Sequence, residues 1–122
     1  IINTKQKEGL IDITDDIEKE IHAKNGICYI FLRHSTAALF INENENGLKK
    51  DFLEMLNNLV PDDVWEHNEI DDNATSHMKA SLLGHSLFIP ISNSKLHLGA
   101  WQRIFLAEFD GPRKREIILE MR

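Results

Sequence analysis

Residues 95–115, KLHLGAWQRIFLAEFDGPRKR, contain the pattern that decides the fold of this chain. Residues 101–109 are rich in β-branched and aromatic side chains, which favour a half-buried strand. Asp110-Gly111-Pro112 then predicts a turn, because these residues reverse the chain and interrupt regular structure. Residues 114–121 are predicted to form the returning strand. Since strands joined this closely usually pair antiparallel, the sequence predicts a hairpin against which the earlier chain packs.

The length and composition of the chain predict one domain spanning residues 1–122. These residues are 42% hydrophobic, enough to form a buried core, and no linker or repeat divides them. The net charge of −6 argues against a nucleic-acid partner, because neutralising phosphates requires a basic surface. No apolar run reaches the length that spans a bilayer, so no membrane partner is expected.

The apolar run at residues 26–33 is the most strand-like segment before the hairpin. It is apolar on both faces, which predicts a central position in the sheet. Cys28, the only cysteine, lies within this run and is predicted to be a small buried hydrophobe rather than a catalytic thiol. Because one cysteine cannot form an internal disulfide, a cytoplasmic location is predicted.

Three further segments have helical patterns or helix-capping residues. The predicted helices are one of about ten residues that Thr14 caps and Asn25-Gly26 ends, a second at residues 48–59, and a third from Asn73 or Thr75 to Gly84. The remaining strands and helices show no regular βαβ alternation. The predicted class is therefore α+β, with a large mixed, mostly antiparallel β-sheet and about three helices.

Six histidines raise the question of a metal site. They are His22, His34, His67, His77, His85 and His97. No two have the spacing of the helical zinc motif, so the motif signal is weak. His34, His67 and His77 lie near predicted loops in separate segments and could converge at one mouth of the sheet. The alternative is a set of unrelated surface histidines.

Two pairs of charged residues are further candidates for chemistry. Glu43 and Glu45 lie in a polar loop, where either carboxylate could be a general base or simply solvated. Arg113 and Arg115 follow the Gly-Pro turn and could bind a phosphate or carboxylate bidentately. They could equally be an exposed charge pair that protects a sheet edge. The sequence leaves both questions open.

Several short segments occur in a distinctive order along most of the chain. They are His34-Ser35-Thr36-Ala37-Ala38, residues 40–44, Val60-Pro61, His67, Asn73, His77-Met78-Lys79, Pro90-Ile91, residues 96–102 and residues 108–115. In this order and spacing they closely resemble the YjbQ-like family, also labelled secondary thiamine-phosphate synthases. One departure from the family pattern lies beside a candidate ligand: Ser76 stands where alanine commonly precedes the histidine.

The resemblance implies a compact α+β domain that assembles as a homotrimer. It also implies a site around His34, His67 and His77, with Asn42, Glu43 and Asn73 as neighbours. A divalent metal, with zinc as the expected ion, would be held by the three histidines. The family's reported activity is weak thiamine-phosphate synthesis, which joins a hydroxymethylpyrimidine pyrophosphate to a thiazole phosphate and releases pyrophosphate.

Two classes of function remain open at this point. The first is an enzyme of the thiamine-phosphate synthase type, or a metal-assisted transferase or hydrolase acting on a phosphorylated small molecule. Its proposed catalytic residues are His34, Glu43, His77 and Arg113, with Glu43 as acid or base and Arg113 or Arg115 neutralising phosphate. The second is a non-catalytic trimeric protein that binds a metal or a small anion, because the sequence has no nucleophile beside an evident base.

Overall fold

The computed structural model describes residues 1–122 and confirms the α+β class. In chain order the elements are β1 (Ile2–Asn3), β2 (Gly9–Asp12), α1 (Thr14–Glu18), β3 (Gly26–Leu32), β4 (Ala37–Asn42), α2 (Asn46–Leu59), α3 (Asn68–Asp71), α4 (Ala74–Leu83), β5 (Ser86–Ser92), β6 (Lys95–Leu96), β7 (Arg103–Glu108), β8 (Lys114–Arg115) and β9 (Ile117–Met121). The strands form three sheets, ordered β1-β8, β2-β7-β4 and β6-β5-β3-β9. All strand pairings are antiparallel. The chain therefore has three antiparallel sheets rather than the one large mixed, mostly antiparallel sheet that was predicted, and four helices rather than about three.

The chain is arranged in three layers: the four-stranded sheet, the three-stranded sheet, and helices α2 and α4. Twelve buried residues fill the space between the two larger sheets, among them Ile30 of β3, Leu39 of β4 and Leu106 of β7. A second cluster on the other face of the three-stranded sheet includes Leu56 of α2 and Ala80 of α4. None of the four helices is both long and apolar enough to cross a membrane.

Strand β7 is buried on both faces and contributes to both clusters. Its side chains alternate, as in any strand, so Ile104 and Leu106 face one cluster while Ala107 faces the other. Phe105, on the helical side, stacks on Phe40 with ring centroids 5.3 Å apart. The predicted importance of this strand is therefore confirmed, although it begins at Arg103 rather than at residue 101.

The predicted hairpin pairing is wrong. β7 pairs with β2 and β4, whereas the returning segment divides into β8, which pairs with β1, and β9, which pairs with β3. The reason lies in the turn. The N-terminal segment passes so close to Gly111 that a Cβ there would lie 2.1 Å from the carbonyl oxygen of Gln6. Gly111 N also donates to Lys7 O at 2.9 Å, so the turn bonds to the N-terminal segment.

The first predicted helix is shorter than expected and is capped differently. α1 has five residues, and Thr14 is its first residue rather than its cap. The N-cap is Ile13, which provides no side-chain cap, while Asp12 Oδ1 accepts hydrogen bonds from Thr14 N at 3.0 Å and Thr14 Oγ1 at 2.7 Å. Gly26 does not end the helix but begins β3. The two longer predicted helices correspond to α2 and α4, and α4 ends at Gly84 as predicted.

The central position of β3 in its sheet is confirmed, since it lies between β5 and β9. Cys28 is fully buried in the core, and burial raises the pKa of its thiol, which keeps it protonated. The apolar residues of this strand are not all buried. Tyr29 and Phe31 are exposed on the outer face of the sheet.

A buried ion pair joins the end of β7 to β8. Arg115 Nε donates to Glu108 Oε1 at 2.9 Å, and Arg115 Nη2 donates to Glu108 Oε2. Thr4 Oγ1 donates to the same carboxylate at 2.7 Å, and Arg115 Nη2 also donates to Thr36 Oγ1 at 2.9 Å. Burial alone would raise the pKa of Glu108, but the hydrogen bonds from Arg115 and Thr4 outweigh it and hold that pKa below its usual value.

We expect Glu108→Gln to lower the free energy of unfolding by about 3–5 kcal/mol, because it leaves the Arg115 guanidinium buried without a counter-charge. Equilibrium denaturation in urea measures this change. The matched control is Glu120→Gln, which removes the exposed ion pair with Arg122 and should cost less than about 1 kcal/mol. Equal losses in the two variants would contradict the importance given to the buried pair.

The same pair predicts the direction of the pH dependence. The pKa of Glu108 is lower in the folded chain, so its contribution is complete above the unfolded value near 4.5 and is lost as the pH falls through the folded pKa. Glu108→Gln should therefore flatten the acid limb of a stability-versus-pH curve.

Candidate functional site

A polar cleft opens where the β3–β4 connection, the start of α4 and the turn after β7 meet. Its volume is about 610 Å³, and Pro112 is the only non-polar residue in its lining. The lining residues are Arg33, His34, Ser35, Thr36, Asp71, Asn73, His77, Asp110, Pro112, Arg113, Lys114 and Arg115. The cleft therefore brings together three of the four proposed catalytic residues: His34, His77 and Arg113.

The charges around this cleft differ in sign from the charge of the whole chain. The lining has four cationic side chains, those of Arg33, Arg113, Lys114 and Arg115, and two carboxylates. Two of the cations also pair with carboxylates outside the lining, Arg33 with Glu116 and Arg115 with Glu108. The whole chain carries a net charge of −6. A concave site with excess positive charge concentrates anions locally even on an acidic protein. The electrostatics of the cleft therefore suit an anionic ligand.

His34 lies in the connection between β3 and β4, where the main chain after β8 fixes its ring. Its Nε2 accepts a hydrogen bond of 2.8 Å from the backbone N–H of Glu116. Burial and the nearby guanidinium of Arg115 both lower the pKa of His34 from its ordinary value near 6.5. The imidazole is therefore neutral at pH 7.

His67 and His77 lie side by side. His77 is the fourth residue of α4, and its ring is edge-on to that of His67, with centroids 4.7 Å apart. His67 does not line the cleft directly. Two polar atoms in this corner, His67 Nε2 and Asn73 Oδ1, are buried without a hydrogen-bond partner. Each of these two atoms next to the cleft can therefore form one more hydrogen bond.

The three predicted metal ligands do not fit a shared metal in this chain. A histidine ligand needs a free lone pair on the coordinating nitrogen, and the lone pair of His34 Nε2 is engaged by the Glu116 amide. No group of three or more His, Cys, Asp or Glu side chains is arranged to hold a metal ion. Zinc therefore stays a prediction of the family resemblance, and no chemical step below depends on it.

Asp110 organises the wall of the cleft. Its Oδ2 accepts hydrogen bonds from Asn73 Nδ2 at 2.8 Å and Arg113 Nη2 at 3.0 Å. Arg113 Nε also donates to the main-chain oxygen of Asp110 at 2.8 Å. Burial would raise the pKa of Asp110, but the bonds from Asn73 and Arg113 outweigh it and hold that pKa below its usual value. The carboxylate is thus ionised and fixes both neighbours.

The two arginines of the turn have different environments. The side chain of Arg113 is 54% exposed and forms its ion pair at the cleft surface. That of Arg115 is 2% exposed and pairs with Glu108 beneath the cleft. Of the two arginines, only Arg113 is exposed, so they do not form an exposed charge pair. Arg113 has the solvent access to meet an incoming anion.

Glu43 lies away from the cleft. Thr36, which lines the cleft, immediately precedes β4, whereas Asn42 and Glu43 lie at its far end, about 20 Å away for a strand of this length. Glu43 is exposed. Glu45 caps α2, because its Oε1 accepts a hydrogen bond from Leu48 N at 3.1 Å. Within one chain, Glu43 does not share the site of the other proposed catalytic residues.

Sequence reasoning missed four charged lining residues: Arg33, Lys114, Asp71 and Asp110. Two of them are sequence neighbours of predicted site residues and could have been found for that reason: Arg33 precedes His34, and Lys114 lies between two arginines. The departure at Ser76 also has a structural role. Ser76 Oγ donates a 2.6 Å hydrogen bond to Phe109 O and so ties α4 to the end of β7.

The family is shown by comparison with known proteins. The profile of the family described as UPF0047 protein YjbQ-like matches residues 1–122. A UPF0047 protein of Methanothermobacter thermautotrophicus is 48% identical over 120 residues, covering 95% of this chain and 84% of that protein. One from Archaeoglobus fulgidus is 43% identical, covering 98% of this chain and 95% of that protein.

The fold of a solved relative agrees with these matches. The crystal structure of a YjbQ-like protein of unknown function from Sulfolobus solfataricus superposes with a TM-score of 0.90 at 44% identity, covering 97% of this chain and 88% of that one. The chain belongs to the UPF0047 YjbQ-like family. The names of these relatives specify no activity, so the function has to be argued from the cleft.

Proposed function

We propose that this protein is an enzyme that transfers or hydrolyses a phosphorylated small molecule in the polar cleft. The main support for this proposal is the excess of cationic side chains that line a polar cleft in a protein with a net charge of −6. Cationic side chains neutralise the negative charge of a bound phosphate ester or pyrophosphate and of the phosphate group that leaves in the reaction. A volume of about 610 Å³ is suited to a small molecule.

The cleft residues divide between binding and proton transfer. Arg113 binds the phosphate, because its guanidinium is at the surface and Asp110 holds it in one orientation. His77 is the candidate general acid or base, since it lines the cleft on a regular helix and imidazole exchanges protons near neutral pH. The proton transfer would serve either the leaving oxygen or an attacking water.

Thiamine-phosphate synthesis is one specific form of this proposal and comes from the family resemblance. Its two substrates, a hydroxymethylpyrimidine pyrophosphate and a thiazole phosphate, both carry phosphate groups. This pair therefore belongs in the first substrate screen, together with simple phosphate monoesters and pyrophosphate. Release of pyrophosphate or of inorganic phosphate is the common readout.

We expect Arg113→Gln to weaken the binding of inorganic pyrophosphate about tenfold or more, because it removes a charge-assisted hydrogen bond to the anion. Isothermal titration calorimetry at fixed ionic strength measures the affinity. The matched control is Arg122→Gln, which removes an exposed arginine paired with Glu120 at the end of β9, outside the cleft. Equal affinities in the two variants would place the anion elsewhere.

We expect His77→Ala to reduce turnover of any substrate found in the screen by about 10²-fold or more, the usual contribution of a general acid or base. His97→Ala is the control, because His97 is exposed and outside the cleft. Elemental mass spectrometry of the same two proteins tests the zinc prediction. Zinc that is present in the control and lost in His77→Ala would support the zinc prediction. Metal-free protein with full turnover would contradict it.

Binding without conversion would overturn the enzyme proposal and favour a small-anion-binding protein. In that outcome, pyrophosphate raises the melting temperature of the protein, and this rise depends on Arg113, yet no phosphorylated compound is converted.

The homotrimer implied by the resemblance is also proposed here, with the outer face of the four-stranded sheet as its contact surface. Tyr29 and Phe88 are cross-strand partners on this face, and so are Phe31 and Ile118. Their exposure ranges from 40% for Ile118 to 68% for Phe88. A contiguous apolar surface of this kind is typical of a protein interface.

We expect the purified chain to sediment at three times its mass of 14.1 kDa, and Phe88→Asp to reduce that mass because it places a charge on the apolar face. Analytical ultracentrifugation measures both. Val64→Asp is the control, since Val64 is an exposed hydrophobic residue in a different part of the chain. A monomeric wild-type chain would contradict the proposal.

A further inference from the structure

The hydrogen bond to His34 determines which ring nitrogen carries the proton. A backbone N–H can only donate, so Nε2, which receives the 2.8 Å bond from Glu116 N, must present its lone pair. In a neutral imidazole the other nitrogen then bears the hydrogen. His34 is therefore held as the tautomer with a proton on Nδ1.

The Nδ1 atom of His34 is accessible to solvent. His34 lines the cleft, and Nδ1 has no hydrogen-bond partner in the protein but is not among the buried unpartnered atoms. It is therefore reachable by a ligand. A histidine in this state donates to an oxygen but cannot accept a proton at the same atom.

Arg115 is a second donor that lines the same cleft. Its Nε and Nη2 are engaged by Glu108 and Thr36, while Nη1 has no protein partner and is not fully enclosed, although the side chain as a whole is only 2% exposed. Arg115 lines the cleft, and the residue after it supplies the amide that holds His34. The ion pair with Glu108 thus fixes the guanidinium without using all of its donors.

We propose that His34 Nδ1–H and Arg115 Nη1–H form an oxyanion-binding subsite that receives one oxygen of a phosphate or carboxylate ligand. His34 then acts as a fixed hydrogen-bond donor, not as a general base or a metal ligand. The choice of a phosphate as the ligand rests on the proposed function. Proton transfer is left to His77.

Nitrogen NMR of the ¹⁵N-labelled protein tests the tautomer directly. Two-bond ¹H–¹⁵N correlation spectra at pH 7.5 distinguish a proton on Nδ1 from one on Nε2. We expect the Nδ1–H form for His34 in the free protein, and a shift of its Nδ1 resonance on titration with inorganic phosphate. An Nε2–H tautomer, or phosphate binding that leaves this resonance unchanged, would overturn the subsite.

Two substitutions provide an independent test by calorimetry with inorganic phosphate. The side-chain amide of His34→Asn lies near the position of Nδ1 and can still donate, whereas that of His34→Gln reaches the position of Nε2. We expect His34→Gln to lose about tenfold or more in affinity and His34→Asn to lose clearly less, the difference reflecting one hydrogen bond to a charged group. Circular dichroism confirms that both variants are folded. Equal affinities in the two variants would overturn the assignment to Nδ1.

The failure of the subsite and the failure of the proposed function give different results. If phosphate binds in an Arg113-dependent way but His34 does not respond, the subsite is wrong and the enzyme proposal stands. If His34 responds but no phosphorylated compound is turned over, the subsite stands and the enzyme proposal is wrong. Titration with acetate in competition with phosphate measures which of the two anions the subsite prefers.

Discussion

The buried pair of Glu108 and Arg115 is the interaction on which the arrangement of the chain depends. Removing both charges from water is costly, and their attraction compensates only when the surrounding polar atoms are satisfied. Here Thr4 donates a hydrogen bond to the carboxylate, and Thr36 accepts one from the guanidinium. These four residues come from the N-terminus, the start of β4, the end of β7 and β8. The pair therefore determines where separate segments meet, and they meet directly beneath the cleft.

This placement connects the stability of the fold to the chemistry of the site. A surface arginine can be replaced without much effect on stability, but Arg115 cannot move without leaving Glu108 buried and unpaired. The cleft consequently has one buried cation at its base, Arg115, and one solvent-exposed cation at its surface, Arg113. The buried donor is fixed by its ion pair, and the exposed donor is accessible to an incoming anion. The net charge of the chain indicates neither property.

The sequence predicted local features well and long-range pairing poorly. The strand character of β3 and the limits of α2 follow from side-chain patterns that act over a few residues. The partners of β7 do not, because they depend on the close approach of the N-terminal segment to Gly111, more than a hundred residues away in the chain. The site shows the same division. His34, His77 and Arg113 could be found as polar residues in suggestive positions, but the separation of Glu43 from them is visible only once β4 is placed.

The wrong strand prediction and the role proposed for His34 have a common origin. A single continuous strand over residues 114–121 would use the backbone amide of Glu116 for sheet pairing or direct it to solvent. Instead the segment divides, with β8 pairing to β1 and β9 pairing to β3, and Glu116 lies between them. Its amide is then free to bind His34 Nε2 and to select the tautomer. The interruption of this strand is thus a local irregularity that leaves the Glu116 amide outside both sheet pairings and uses it to orient one side chain that lines the cleft. Such irregularities are common where a fold positions reactive groups.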